Sequence, residues 1–205
     1  MNIIYLLAAL GHIFCGITDC LFAYTPNGRF DMKDAKDSKK MASVFEGMPL
    51  ERLEIASTLG VLALTVSLFG FLELSKWMNE FSHTASVIMY ISGIAFIVPI
   101  VAHHICCGVV EWFYVKLGRT EEALSQVLDF FKKTIITAYV GYLGLAVFSI
   151  TLGVVILTGN TDLPRWAAVF TTFPLYLIIL PTKLPAKGNI ANAIMFIFMF
   201  IYNII

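Results

Sequence analysis

Long uninterrupted apolar runs constrain this chain more than any other feature of its sequence. Six of them, at residues 1–24, 53–75, 85–115, 134–158, 166–182 and 188–205, take up most of the 205 residues. An α-helix needs about 20 apolar residues to cross a bilayer. With 59% apolar residues and a mean hydropathy of +0.82, the composition lies outside the range of ordinary soluble domains. The expected fold class is all-α: a polytopic membrane bundle of six transmembrane helices forming one domain over residues 1–205. No stretch remains for a soluble domain of useful size.

Charge sets the expected topology. Six spans put the connections after the first, third and fifth runs on one side, and these hold Arg29, Lys33, Lys36, Lys39, Lys40, Arg52, Lys116, Arg119, Lys132, Lys133, Lys183 and Lys187. Only Lys76 and Arg165 fall on the other side. Twelve against two is a strong positive-inside bias, with both termini outside. The third run is about 47 Å long as a helix and contains Pro99. Dividing it into two spans would leave the charges seven against seven, so it is expected to be one helix projecting beyond the bilayer. The N-terminal run lacks a basic leader and carries His12 and Asp19, so it is expected to be the first span rather than a signal peptide. Lys+Arg and Asp+Glu are equal at 14 each, and no nucleic-acid partner is expected.

The connection over residues 25–52 opens on a turn, Thr25-Pro26-Asn27-Gly28. After it, Met41, Val44, Phe45 and Met48 recur at helical spacing. That pattern suits a short amphipathic helix, lying on the membrane surface or folded onto the bundle. Ala123, Leu124, Val127, Leu128 and Phe131 repeat the spacing and are expected to lead straight into the fourth span. The four cysteines, Cys15, Cys20, Cys106 and Cys107, fall inside expected helices. They do not suit a secreted disulfide framework, and buried cysteine commonly serves as a small apolar residue.

Two segments resemble each other. His12-Ile-Phe-Cys-Gly-Ile-Thr-Asp19 and His104-Ile-Cys-Cys-Gly-Val-Val-Glu111 share four of eight residues, and two further pairs are conservative. Ala85, Val87 and Pro99 also correspond loosely to Ala167, Val169 and Pro181. The chain is thus expected to be three repeated helical hairpins, an arrangement common among transporters. Seven residues advance a helix by almost two turns and about 10.5 Å. His12 and Asp19 therefore share a face of the first helix, as His104 and Glu111 share a face of the third. Because those helices run parallel, a histidine layer and a carboxylate layer are expected, with His12 beside His104.

Ionisable groups at such depth should face the bundle interior or water. Three kinds of chemistry fit. His12, Asp19, His104 and Glu111 suit a proton or cation pathway for coupled transport of a small solute. His12, His104, Cys15 and Cys107 suit a transition metal, with zinc matching a mixed His/Cys set, in an embedded hydrolase or isomerase acting on a lipid. His12 and His104 also suit the axial positions of a b-type haem. A non-catalytic scaffold, in which these groups serve packing and hydrogen bonding, is the fourth reading. Structural pairing is expected between Asp19 and Arg52, and between Glu73 and Lys76 at i, i+3. Glu111 is followed by Trp112, Tyr114 and Lys116, an interfacial belt toward which it can snorkel. There is no C-x-x-C, no H-E-x-x-H, no G-x-S-x-G and no Gly-rich phosphate loop. Beyond the lipid bilayer and a small solute or lipid substrate no partner is indicated, and homo-oligomerisation stays open.

Gly16 and Asp19, the Tyr24-x-Pro26-x-Gly28 turn, Met48-Pro49-x-x-Arg52, and a third helix closing in His104, Cys107, Tyr114 and Lys116 together form a pattern over residues 11–117. It resembles a domain-of-unknown-function family of small multi-span bacterial membrane proteins. The resemblance implies a bacterial inner-membrane location and no particular activity.

Overall fold

The computed structural model describes residues 3–202, and its architecture is all-helical. In chain order the helices are α1 (Ile3–Ala23), α2 (Ser38–Val44), α3 (Leu50–Met78), α4 (His83–Lys116), α5 (Glu121–Thr134), α6 (Ile136–Leu157), α7 (Thr172–Ile179) and α8 (Lys187–Tyr202). A two-residue hairpin, β1 (Tyr24–Thr25) with β2 (Gly28–Arg29), turns the chain out of α1. Among the described residues, four helical stretches are long and apolar enough to cross a membrane: α1, α3, α4 and the α5–α6 pair. Within their most apolar windows only 33–39% of residues are buried. Side chains such as Leu62, Phe69, Ile91 and Leu143 point outward. In water that surface would be an apolar patch far larger than soluble proteins tolerate.

α4 is one continuous 34-residue helix with Pro99 inside it, as its charge pattern predicts. Proline has no N–H, so the Ala95 carbonyl one turn back loses its partner. Gly144 of α6 packs directly on this segment: a Cβ there would fall 2.7–2.9 Å from backbone atoms of Phe96, Ala95 and Ser92. The expected fifth span, 166–182, takes a different form. It is a 3-10 helix (Arg165–Phe170) followed by the eight-residue α7. Pro174 is the physical reason, because an α-helix accepts proline only in its first turn and must restart just ahead of it. Ser149 Oγ of α6 accepts from the Phe173 amide at 2.7 Å, and the Thr172 hydroxyl donates to Asn192 of α8 at 2.6 Å. Those bonds hold the broken segment in place.

Phe71 is the hub of the main core. Its ring meets Phe96, Phe148 and Phe196 edge-on at 5.3, 4.9 and 5.0 Å, tying α3 to α4, α6 and α8. A second core lies at one end of the bundle. There Met41, Phe45 and Met48 pack with Tyr114, Leu124 and Val127, and Phe45 meets Tyr114 edge-on at 5.6 Å. The amphipathic connection therefore folds onto the bundle. Arg29, also at this end, donates to the Lys183 carbonyl at 2.7 Å. The connections after α1, α4 and α7 thus gather together, while Tyr202 reaches the Asp162 carbonyl at the other end.

Candidate functional site: a Cys–Asp–His cluster on a half-open chamber

α1 carries Cys15 and Asp19 one turn apart, which places both on one face. α4 brings His104 to that face. One ligand atom from each of Cys15, Asp19 and His104 falls within 4.8 Å of the others. Asp19 Oδ1 and His104 Nδ1 are 3.5 Å apart. Cys15 is 2% exposed and the His104 side chain 6%, whereas that of Asp19 is 31% exposed. The cluster is thus closed on the protein side and open through the aspartate.

The His104 ring is fixed from behind. Its Nε2 lies 3.1 Å from the Ala56 carbonyl of α3, and a carbonyl can only accept. Nε2 therefore carries the proton, and in the neutral ring Nδ1 presents a bare lone pair to Asp19. Gly60 makes this possible, since a Cβ there would stand 1.9 Å from that Nε2. An imidazole anchored through one nitrogen with the other free is the arrangement found at metal-bound histidines.

Behind the cluster stands Asn189 of α8. Its amide nitrogen donates to Asp19 Oδ2 at 2.8 Å and to Cys15 Sγ at 3.3 Å, and its oxygen lies 2.9 Å from His12 Nδ1. One amide thereby links His12, Cys15 and Asp19. His12 is fully buried, its ring edge-on to Phe71 and stacked on Phe196. Its Nε2 has no hydrogen-bond partner among the described residues.

The cluster forms part of the wall of a chamber of about 490 Å³, which His103, Cys107, Glu111, Tyr142, Tyr176 and Asn192 also line. The volume is in the range of small-ligand sites. Cys107 Sγ is 3.5 Å from His103 Nε2. Glu111 is buried rather than snorkelling, and its Oε2 has no partner among the described residues.

Several expectations need correction. His104 faces Asp19, not His12, so the two matched segments are not level and separate histidine and carboxylate layers do not form. The glycines beside these groups, Gly11, Gly16 and Gly108, face α3 and α8. A Cβ at these positions would meet Ser67 of α3, Asn189 of α8 and Ser57 of α3 respectively. Arg52 bonds to the Leu21 and Tyr24 carbonyls rather than to Asp19, because a helix C-terminus leaves carbonyls unpaired and attracts cations. Glu73 and Lys76 do pair, at 4.0 Å. The one group of three potential metal ligands found among the described residues contains neither His12 nor Cys107.

Fold and site together define an all-helical protein, with helices long and apolar enough to cross a membrane and a largely buried polar cluster on the wall of a half-open chamber. The chain belongs to the family described as "Family of unknown function (DUF6796)", which it matches over residues 1–202. No curated protein and no solved structure matches it.

Proposed function

We propose that this protein is a cation-coupled membrane transporter of a small solute, with Cys15, Asp19 and His104 as its cation site. The Asp19–His104 geometry carries the reading. At 3.5 Å the two atoms are too far apart for a strong charge-assisted hydrogen bond. Two zinc ligands with bonds of roughly 2.0–2.1 Å at the tetrahedral angle lie about 3.4 Å apart. A shared cation of the zinc class fits that gap, and thiolate, carboxylate and imidazole are its usual donors. The chamber gives the solute a place beside the cation. The Asn189 link to His12 extends the polar groups from the site into the bundle interior.

A bis-histidine haem is less well supported. His104 commits its Nε2 to Ala56, and His12 is held stacked on Phe196 and edge-on to Phe71.

The topology that goes with this reading has six spans, both termini outside and residues 25–52 inside, in a bacterial inner membrane. The twelve-to-two charge bias supports it. So does the gathering of the three basic connections at one end, with Tyr202 at the other. Reporter fusions at Asp37 and after Ile205 should give opposite signals; matching signals overturn this topology.

One observation favours a second reading, a metal-dependent hydrolase acting on a lipid. The cluster has three donors and an open side, the pattern of catalytic zinc. A cation there would polarise a substrate oxygen and acidify a water.

Metal analysis of the purified protein tests the site itself. Zinc should be bound by the wild type and lost in Asp19→Asn and His104→Ala. Proteoliposomes should then take up zinc or protons in a manner that Asp19→Asn abolishes. Protein free of metal and vesicles without either flux would overturn the transport reading. Bound metal without flux, together with ester hydrolysis, would favour the enzyme.

A further inference from the structure

His103, Cys107 and Glu111 lie at i, i+4 and i+8 on α4, and all three line the chamber. Each step is one turn, roughly 6 Å along the axis. They form a stripe of donors beginning next to His104 and leading toward the end capped by α2 and α5. Cys107 and Glu111 also line a smaller apolar pocket of about 170 Å³ beneath that cap, so they stand in the wall between two cavities.

We infer that this stripe is a second cation station, through which a soft divalent cation passes between the capped end and the Cys15–Asp19–His104 centre. The separation of Cys107 Sγ and His103 Nε2, 3.5 Å, matches two donors on one ion. Zinc bonds of roughly 2.3 Å to sulfur and 2.0–2.1 Å to nitrogen place such atoms about 3.6 Å apart. A thiol–imidazole hydrogen bond accounts for that pair alone. It leaves Glu111 Oε2, one turn further along the same stripe, buried without a partner among the described residues. Buried polar groups without partners are costly, and a chamber-lining carboxylate that is 6% exposed is poised for a ligand the bundle does not itself supply. Two donors at bonding distance and a third one turn away make a weaker site than the centre, as a transit station requires, since an ion that binds too tightly does not move on.

The inference rests on the metal reading of the centre, and cobalt(II) separates the two. Each site holds one cysteine, so each contributes its own thiolate-to-cobalt absorption. The full-length protein, stripped of metal in detergent and titrated with cobalt(II), should bind a second ion per chain, more weakly than the first. Cys107→Ser should remove only the weaker event and about half of the thiolate band. Cys15→Ser should remove only the tighter one, and Glu111→Gln should weaken the second event about tenfold. His103→Ala, read alongside a melting curve, serves as a second test if Cys107→Ser fails to fold. In stopped-flow loading, Cys107→Ser should slow filling of the centre. If Cys107→Ser and His103→Ala both leave the titration and spectrum at wild type, the inference fails and the centre stands. If Cys15→Ser leaves both events intact, the centre fails and the transit role fails with it.

Discussion

Replacing Gly60 with alanine tests whether the anchoring of His104 is what shapes the site. The new methyl carbon would stand 1.9 Å from His104 Nε2, 2.5 Å from Cε1 and 2.6 Å from Cδ2. Ordinary contact begins near 3.5 Å, so the ring must retreat by about 1.5 Å. That movement breaks the bond to Ala56 and displaces Nδ1 from its present position against Asp19. Metal sites tolerate only about 0.2 Å of error in a bond, so the shift removes His104 as a ligand. Zinc affinity should fall by at least tenfold, on the order of 1.4 kcal/mol, by analogy with the 10–100-fold losses seen when outer-shell partners are removed. Overpacking should cost about 1–3 kcal/mol of stability, offset by up to about 1 kcal/mol from alanine's better helix propensity. Gly70→Ala is the control. Its Cβ would fall 2.3 Å from Ala8 Cβ, a comparable clash in the main core. Competition titration against a chelating dye measures the affinity, and a thermal shift in detergent measures the fold. Gly60→Ala should lose metal while Gly70→Ala keeps it at a similar loss of stability. Wild-type affinity in Gly60→Ala would refute the argument.

Three further outcomes follow from named contacts. Asn189→Leu should leave bound metal in place yet lower thermal stability, because it strips partners from His12, Cys15 and Asp19 at about 1 kcal/mol for each bond; loss of metal would instead make Asn189 essential to the site. Arg52→Ala should cost about 1.5–3 kcal/mol through its bonds to the Leu21 and Tyr24 carbonyls. Its effect should add to that of Asp19→Asn within about 0.5 kcal/mol, and a larger coupling in the double-mutant cycle would restore the ion pair expected from the sequence. Phe45→Ala should cost about 3–5 kcal/mol by opening the α2–α5 cap, and limited trypsin digestion between Lys33 and Lys40 should become faster.

The helices were legible because apolar run length reports directly on what a bilayer demands. Charge distribution separated one long α4 from two short spans. The break at residue 171 was harder to see, since 166–182 is uniformly apolar and only Pro174 marks the restart. At the site, the rarity of acids and imidazoles in apolar helices pointed to His12, Asp19, His104 and Glu111. Their partners were not legible. The eight-residue match between α1 and α4 implied a level register, but register is set by how α3 packs on both helices. The deep contacts at Gly60 and Gly108 belong to that packing and leave no periodic trace. Asn189 was missed, though two asparagines at i, i+3 (Asn189 and Asn192) in an otherwise apolar helix are a readable signal of a polar face turned inward.

Pro99 gives α4 a mechanical property that the bundle as a whole lacks. Ahead of it, residues 92–97 are clasped by Gly144 and by the Phe71 hub. On the far side, Gly60 and Ser57 of α3 hold His104 and Gly108, so a bend at Pro99 would carry that part of α3 with it. Beyond it, the helix carries His103, His104, Cys107 and Glu111 on a rod of roughly 25 Å that ends in the cap. The missing hydrogen bond makes residue 99 the softest point along the axis. A bend of roughly 10° there moves Lys116 by about 4 Å, while Asp19 and Cys15 stay with α1. Such a bend would change the span between Asp19 and His104, the width of the chamber and the seating of the α2–α5 cap together. An ion that draws Asp19 and His104 together would be felt as a displacement at the membrane surface, and a force on the cap would be felt as a change in affinity.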